Sequence, residues 1–334
     1  MKHAFVWLIL LLSMQLALAQ SIRVVEQGQP CSIRGLSVVD DRVAWASGSK
    51  GHVAISTNGG QTWQWRQVKG FEQSDFRDIE AFSAREAIIM SSGTPAVILK
   101  TIDGGESWNV CYRNPDKAYF LDAMTFADPQ HGYILGDPIN GKFLLLQTIN
   151  GGQSWAPFAV QPTAMPNEAA FAASGTCIRV NKNNLYVVTG GATARLLATP
   201  LNTAKWTYTN LPITHGQAST GAFSVAFGSR SAIIVGGNYA SPKLTDSVAC
   251  YISLPAVTQI SLAKSVPAGY QSGVEYLGQE TFLATGTSGT NWSTDNGQTW
   301  RQIDQESYNT CQKAKRGKLV LLAGDKGRIA ILQQ

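Results

Sequence analysis

The phrase STNGGQTW at 56–63 returns as TIDGGESW at 101–108, TINGGQSW at 148–155 and STDNGQTW at 293–300. An octet that recurs with its glycines and terminal tryptophan marks one supersecondary unit used repeatedly, and it limits the architecture before any other residue is read. The first three copies start 45 and 47 residues apart, and the next follows 145 residues later, close to three further periods. Two units with eroded octets therefore lie between. TPLNTAKW at 199–206 keeps the leading Thr and the final Trp206, while the other unit falls near 251–260, where no octet survives. A β-rich run closing on a small residue and glycine recurs at Gly48, Gly93, Gly136, Gly190, Gly236, Gly286 and Gly324, which sets the count at seven.

Each unit reads as four short strands. In the second, 76–82 (FRDIEAF), 86–93 (EAIIMSSG), 96–105 (AVILKTIDGG) and 106–113 (ESWNVCYR) are β-branched and aromatic runs separated by Gly, Asn, Asp and Ser clusters, as strands and hairpins require. The octet is then the hairpin between the third and fourth strands. Its glycines supply positive φ, and Asn58, Asp103, Asn150 or Asp295 bonds the turn's own backbone. Trp63, Trp108, Trp155 or Trp300 opens the outer strand and packs between neighbouring sheets. Seven such units specify an all-β fold, a seven-bladed β-propeller of four-stranded antiparallel blades. The seventh, from Asn309, has room for three strands, and Ser21–Gly28 with its strand-like IRVVEQ is the donor of the fourth. The N-terminal strand is expected to close the ring.

Residues 1–19 read as a signal peptide: Lys2 and His3, an apolar stretch from Ala4 to Leu18, and Ala17-Leu18-Ala19 as a small-residue cleavage site. No later segment approaches the roughly 18 continuous apolar residues of a membrane span, and no cysteine follows the cleavage site to carry a lipid. The expectation is an exported protein, periplasmic or secreted, with one propeller domain over 20–334 and no membrane span after cleavage. Cleavage leaves 315 residues, 45 per blade, so little chain remains for a second domain. The formal charge of +5 falls to +4 with Lys2, and the charges are dispersed, without the basic stripe of a nucleic-acid binder. The run KAKRGK at 313–318 reads as a blade edge or as a patch for an anionic partner.

Five cysteines leave at least one unpaired. Cys31 and Cys311 fall at the inner-strand starts of neighbouring blades one and seven, where a disulfide is one alternative and buried free thiols the other; Cys111, Cys177 and Cys250 read as buried small hydrophobes. Four histidines, one of them in the signal peptide, form no HExxH or similar array, so no metal and no cofactor are expected.

Strand order puts the inner-strand starts and the exits of the second strands on one face and the octet hairpins on the other. The inner-strand starts read as Arg34, Arg77 with Asp78, Asp122, Glu168, Ser219 with Thr220, Gln271 with Ser272, and Asn309 with Thr310. Arg195, Tyr239 and Tyr270 join them from adjoining loops. One reading is a wet channel that tolerates polar side chains, with ion pairs such as Arg77 with Asp122. The other is a recognition site, since charges converging from separate blades focus a field and present forked guanidiniums to carboxylate or glycan partners. The candidate ligand contacts are Arg34, Arg77 and Arg195 for anions, with Asp122, Glu168, Tyr239 and Tyr270 setting orientation. Two carboxylates such as Asp122 and Glu168 could in principle act as acid and base on a glycosidic bond, and their separation decides the mechanism. No GxSxG elbow, Walker loop or strand-borne GxGxxG occurs, and the sequence nominates no catalytic nucleophile.

At the octets the chain resembles the Asp-box, or BNR-repeat, propellers, with Asn58 and Asn150 where the box usually carries Asp. The phrases SIRGLSVV, DFRDIEAF, FLDAMTF, ASGT, STGAFSVAF and GTSGTNWSTDNGQTW are similar to the exported bacterial branch of the photosystem II stability and assembly factor-like group. That resemblance implies a non-enzymatic propeller that binds a protein or envelope component. Members of this branch often carry an oxidoreductase label, for which the chain offers no cofactor motif. The boxes are shared with sialidases, which makes a glycan-binding or glycan-hydrolysing propeller the alternative. The Phe/Tyr-Arg-Ile-Pro signature of that group is absent, Ser32-Ile33-Arg34-Gly35 being the nearest phrase, and sialidases generally have six blades.

Overall fold

The computed structural model describes residues 20–203, 205–254 and 259–333, so the signal peptide expected at 1–19 lies outside the described residues. Blades one to three comprise Ile33–Val38, Ala44–Gly48, His52–Ser56 and Gln64–Gln67; Asp75–Ala81, Ala87–Ser92, Ala96–Thr101 and Asn109–Asn114; and Leu121–Phe126, Gly132–Ile139, Lys142–Thr148 and Ala156–Pro157. Blade four comprises Ile178–Asn181, Asn184–Val188, Arg195–Pro200 and Thr207–Asn210, and blade five Thr220–Phe227, Ser231–Asn238, Ala249–Ser253 and Ile260–Leu262. Blade six comprises Gly273–Gly278, Thr281–Gly286, Gly289–Ser293 and Arg301–Asp304. In blade seven, Thr310–Lys313, Val320–Ala323 and Ile329–Gln333 are completed by Ser21–Glu26, which pairs antiparallel with Ile329–Gln333 from Ser21 opposite Gln333 to Glu26 opposite Ile329. Neighbouring inner strands touch around the ring, and blade seven's touches blade one's, which closes the seven-bladed propeller.

Burial follows the layers. The second strand Ala87–Ser92 is buried throughout, because its two faces pack on two neighbouring blades, whereas the outer strand Asn109–Asn114 is largely solvent-facing. Each inter-blade core takes side chains from two sheets: Trp45, Val53 and Ile55 meet Ile79, Ile89 and Leu99 between blades one and two. The octets staple these cores. In the first, Asn58 Oδ1 accepts the Thr62 backbone N–H at 3.1 Å, the Gly60 N–H bonds Ser56 Oγ at 2.9 Å, and Trp63 Nε1 donates to the Gly60 carbonyl at 3.0 Å. Asp103 Oδ2 accepts from Ser107 Oγ at 2.6 Å, while Asn58 Nδ2 donates to Thr62 Oγ1 at 2.9 Å. A hydroxyl can serve in either sense, which is why Asn replaces Asp in two boxes without changing the turn. The second octet glycine lies against the preceding blade: Gly60 on Leu321, Gly105 on Trp45, Gly152 on Ile88 and Gly297 on Ile233.

The glycine that ends the second strand has a different cause. At Gly48 a Cβ would come within 2.5 Å of the Ser32 carbonyl oxygen, and Gly136 meets the Phe120 carbonyl in the same way. The start of the inner strand passes directly over these two residues, so the glycine marks a close backbone crossing there, whereas Gly93 stands in open space at φ +112°.

Cys31 belongs to the core between blades seven and one, and Cys311 to the core between six and seven. All five cysteines are free, so the disulfide alternative does not form.

Candidate functional site

The inner strands of blades one, two, three and five each break register at one residue: Arg34 between Ile33 and Gly35, Arg77 between Phe76 and Asp78, Asp122 between Leu121 and Ala123, and Phe223 between Ala222 and Ser224. A bulged residue has no ladder partner and re-aims its side chain. All four line one cavity of about 340 Å³ at the mouth of the ring, on the face opposite the octets, together with Ser272 and Asn309 from the inner-strand starts of blades six and seven.

Blade four breaks the pattern. Its inner strand starts at Ile178, ten residues beyond the expected Glu168, and the intervening chain runs across the axis. Ala170–Ala173 line the mouth cavity. Ser174 Oγ then donates to the Ser272 carbonyl of blade six at 2.6 Å, and Thr310 Oγ1 of blade seven donates to the Ser174 carbonyl at 3.2 Å. Thr176 Oγ1 lies 2.5 Å from Ser224 Oγ of blade five. Gly175, at φ +71°, abuts the Asp78 carboxyl of blade two so closely that a Cβ has no room. This plug occupies the axis, where one of the two readings of the sequence had a wet channel. Gly175 borders a second, polar cavity of about 240 Å³ on the octet side, where Arg179 pairs with Glu275 at 3.1 Å and Lys315 with Glu80 at 2.5 Å. The run 313–318 is the turn of blade seven's inner hairpin, bordering that cavity.

At the mouth, two arginines and a group of aromatic rings line one cavity. Arg77 Nε donates to Asp75 Oδ2 at 2.7 Å, and its guanidinium lies 5.8 Å from the Phe120 ring centroid. The expected Arg77–Asp122 ion pair is therefore not made. Arg34 Nη1 donates to Ser32 Oγ at 2.9 Å, which in turn donates to Asp325 Oδ1 at 2.5 Å. Burial, and then the repulsion of Arg77, lower the Arg34 pKa, while Asp75 and Asp325 oppose them. Two like charges held this way gain from an anion between them. Four aromatic rings line the same mouth: Phe171 stacks on Phe223 at 3.8 Å, and Tyr270 meets Phe223 edge-on at 4.8 Å. Tyr239 closes the group, 51% exposed at the rim. Asp122 is fully buried, with neither carboxyl oxygen hydrogen-bonded, and burial raises its pKa well above the carboxylate range.

The structure thus brings together Arg34, Arg77, Asp122, Tyr239 and Tyr270 and leaves out two expected members. Glu168 and Arg195 are sealed together: Arg195 Nε donates to Glu168 Oε1 at 2.8 Å, Nη2 to the Thr163 carbonyl at 2.8 Å, and the guanidinium lies 4.8 Å from the Tyr208 ring centroid. Neither borders the mouth cavity, so two guanidiniums converge there instead of three, and Glu168 is no acid–base partner for Asp122. Phe120, Phe171 and Phe223 were missed. Phe223 occupies in STGAFSVAF the place that Arg34 holds in SIRGLSVV and Asp122 in FLDAMTF, a local frame sufficient to find it. Among the described residues no group of three or more His, Cys, Asp or Glu is placed to hold a metal ion.

A search of curated proteins returned no match. Residues 20–118, blades one and two with the closing strand, match the family model described as photosynthesis system II assembly factor YCF48. Among solved structures, YCF48 bound to D1 peptide is 14% identical, with a TM-score of 0.67 over 94% of this chain and 97% of that one. YCF48 from Cyanidioschyzon merolae is 15% identical, with a TM-score of 0.69 over 93% and 98%. The chain is a β-propeller with BNR repeats, similar to the YCF48 family in sequence over its first two blades and to YCF48 in fold over nearly its whole length.

Proposed function

We propose that this is an exported, non-enzymatic binding propeller that holds a segment of a protein or envelope-component partner at its mouth. The carrying observation is the mixed lining of the mouth cavity, which holds Arg34 and Arg77 together with the Phe171–Phe223–Tyr270 cluster. An acidic group of a polypeptide fits the guanidiniums and a neighbouring apolar side chain the rings. Met165, Tyr239 and Leu244, exposed in the loops of blades four and five, extend apolar surface toward an incoming chain. The similar structure titled YCF48 bound to D1 peptide supports a peptide as the kind of ligand.

Photo-crosslinking from position 244, in the native envelope, with mass-spectrometric identification, tests the reading. The expected result is a polypeptide adduct that disappears in the Arg34→Ala/Arg77→Ala protein while its melting temperature is retained. Turnover of any substrate in a parallel glycoside panel, or adducts indifferent to the two arginines, would overturn it.

A further inference from the structure

We propose that Asp122 is a proton-operated control on anion binding at the mouth: neutral, it leaves the arginine pair to the ligand; ionised, it cancels part of their field and weakens the ligand's hold. This rests on reading the mouth as an anion site, and it adds a regulator to it. The bulge that aligns Asp122 with Arg34 and Arg77 puts a carboxyl on the same cavity as the two guanidiniums. Its burial is complete and neither oxygen has a hydrogen-bond partner. A buried, unpartnered carboxylate is costly, so the neutral form is the one the fold accepts. Three groups face it: Arg77 from blade two, Asp137 from the second strand of its own blade, and Cys177 from the plug. Arg77 favours the ionised form but is engaged by Asp75, and Asp137 disfavours it.

The two equilibria are reciprocal: an anion on Arg34 and Arg77 raises the Asp122 midpoint by the factor by which protonation strengthens anion binding, on the order of 5- to 100-fold for couplings of this kind. Between the free and the anion-bound midpoints, each bound anion takes up as much as one proton.

Two measurements test the proposal. Asp122 is followed directly by carboxyl carbon NMR, its resonance identified by its loss in Asp122→Asn. Its midpoint is expected to move up in Arg77→Ala, and an unmoved midpoint overturns the coupling whatever the ligand turns out to be. Second, 3-phenylpropionate, a carboxylate with one aryl group, is titrated by calorimetry at pH values on both sides of the midpoint that the NMR titration gives. Wild type is expected to weaken as the pH rises through the midpoint, and Asp122→Asn to bind more tightly than wild type at the upper end without that dependence. Equal pH dependence in both overturns the proposal. No binding to either protein, beside an Asp122 midpoint that responds to Arg77, refutes the probe's class as ligand and with it the anion reading of the mouth, while the Asp122–Arg77 coupling stands.

Discussion

Asp78 lies at the ring's interior with a carboxyl 5% exposed, Oδ1 accepting the Ile79 N–H at 2.8 Å and Oδ2 the Met124 N–H of the next blade at 2.7 Å. Burial outweighs these two donors and raises its pKa to about 8, with Glu80 adding to the rise and Arg179 opposing it. An unfolded Asp titrates near 3.9. Between about pH 4 and 8 the folded chain therefore keeps a proton that the unfolded chain has released. The stability from this group is fully present below about pH 4 and is lost as the pH rises, at about 1.4 kcal/mol per unit and up to about 5.6 kcal/mol in all. Asp78→Asn removes the proton but turns one backbone N–H toward an amide NH2, at a cost of about 1–3 kcal/mol. The variant should be less stable than wild type at pH 4, cross it between about pH 5 and 6, and exceed it at pH 7. Asp122 and Glu275, also raised by burial, titrate alike in both proteins and cancel in the difference. Urea unfolding at pH 4.5, 6 and 7.5, followed by tryptophan fluorescence, measures it. Parallel stability curves would mean that Asp78 stays ionised in the fold and that the two donors prevail over burial.

Removing residues 20–28 strips the fourth strand from blade seven and bares Ile329–Gln333; thermal unfolding should lose cooperativity, and melting identical to the full propeller would disprove the closure. Gly221, at φ +151°, faces Gly190 across blades with no room for a Cβ, so Gly221→Ala should cost about 1–3 kcal/mol in chemical denaturation. Hydrogen bonds from Ser107, first its hydroxyl, and from Thr101 hold the Asp103 pKa well below the usual range, so its contribution is present at neutral pH and lost as the pH falls through that depressed value. Asp103→Asn should leave the melting temperature at pH 7 unchanged, as Asn58 and Asn150 make the same turn, whereas Asp103→Ala should lower it; equal melting of both variants would discount the box.

The blades were legible because the octet encodes its turn and its inter-blade staple within eight residues. Arg34, Arg77 and Asp122 were legible for the same reason: each is the third residue of a recurring inner-strand phrase, SIRG, DFRD and FLDA. Glu168 was misplaced because the plug interrupts the period with a segment whose conformation is set by distant partners. Ser174 bonds a residue 98 positions away and Thr310 reaches back 136, and no local spacing announces such contacts. Arg195 was misread with it, since its partner could be found only once Glu168 had left the mouth. The aromatic group was hidden because Phe171 and Phe223 look like ordinary core residues until the plug stacks them.

Ring closure also sets a clock. Ser21–Glu26 is the first strand of the propeller to be synthesised, and its partner Ile329–Gln333 is nearly the last, with Ser21 and Gln333 separated by 312 positions. At about 5–20 residues per second, translation leaves that opening strand without a mate for roughly 15–60 seconds. Blades one to six can condense as they emerge, yet the molecule stays an open arc with two raw edges until the final segment arrives, and during that interval the exposed edges can pair with other chains. Whatever escorts this protein before it closes is guarding an arc, and the time it must do so is written into the length of the chain.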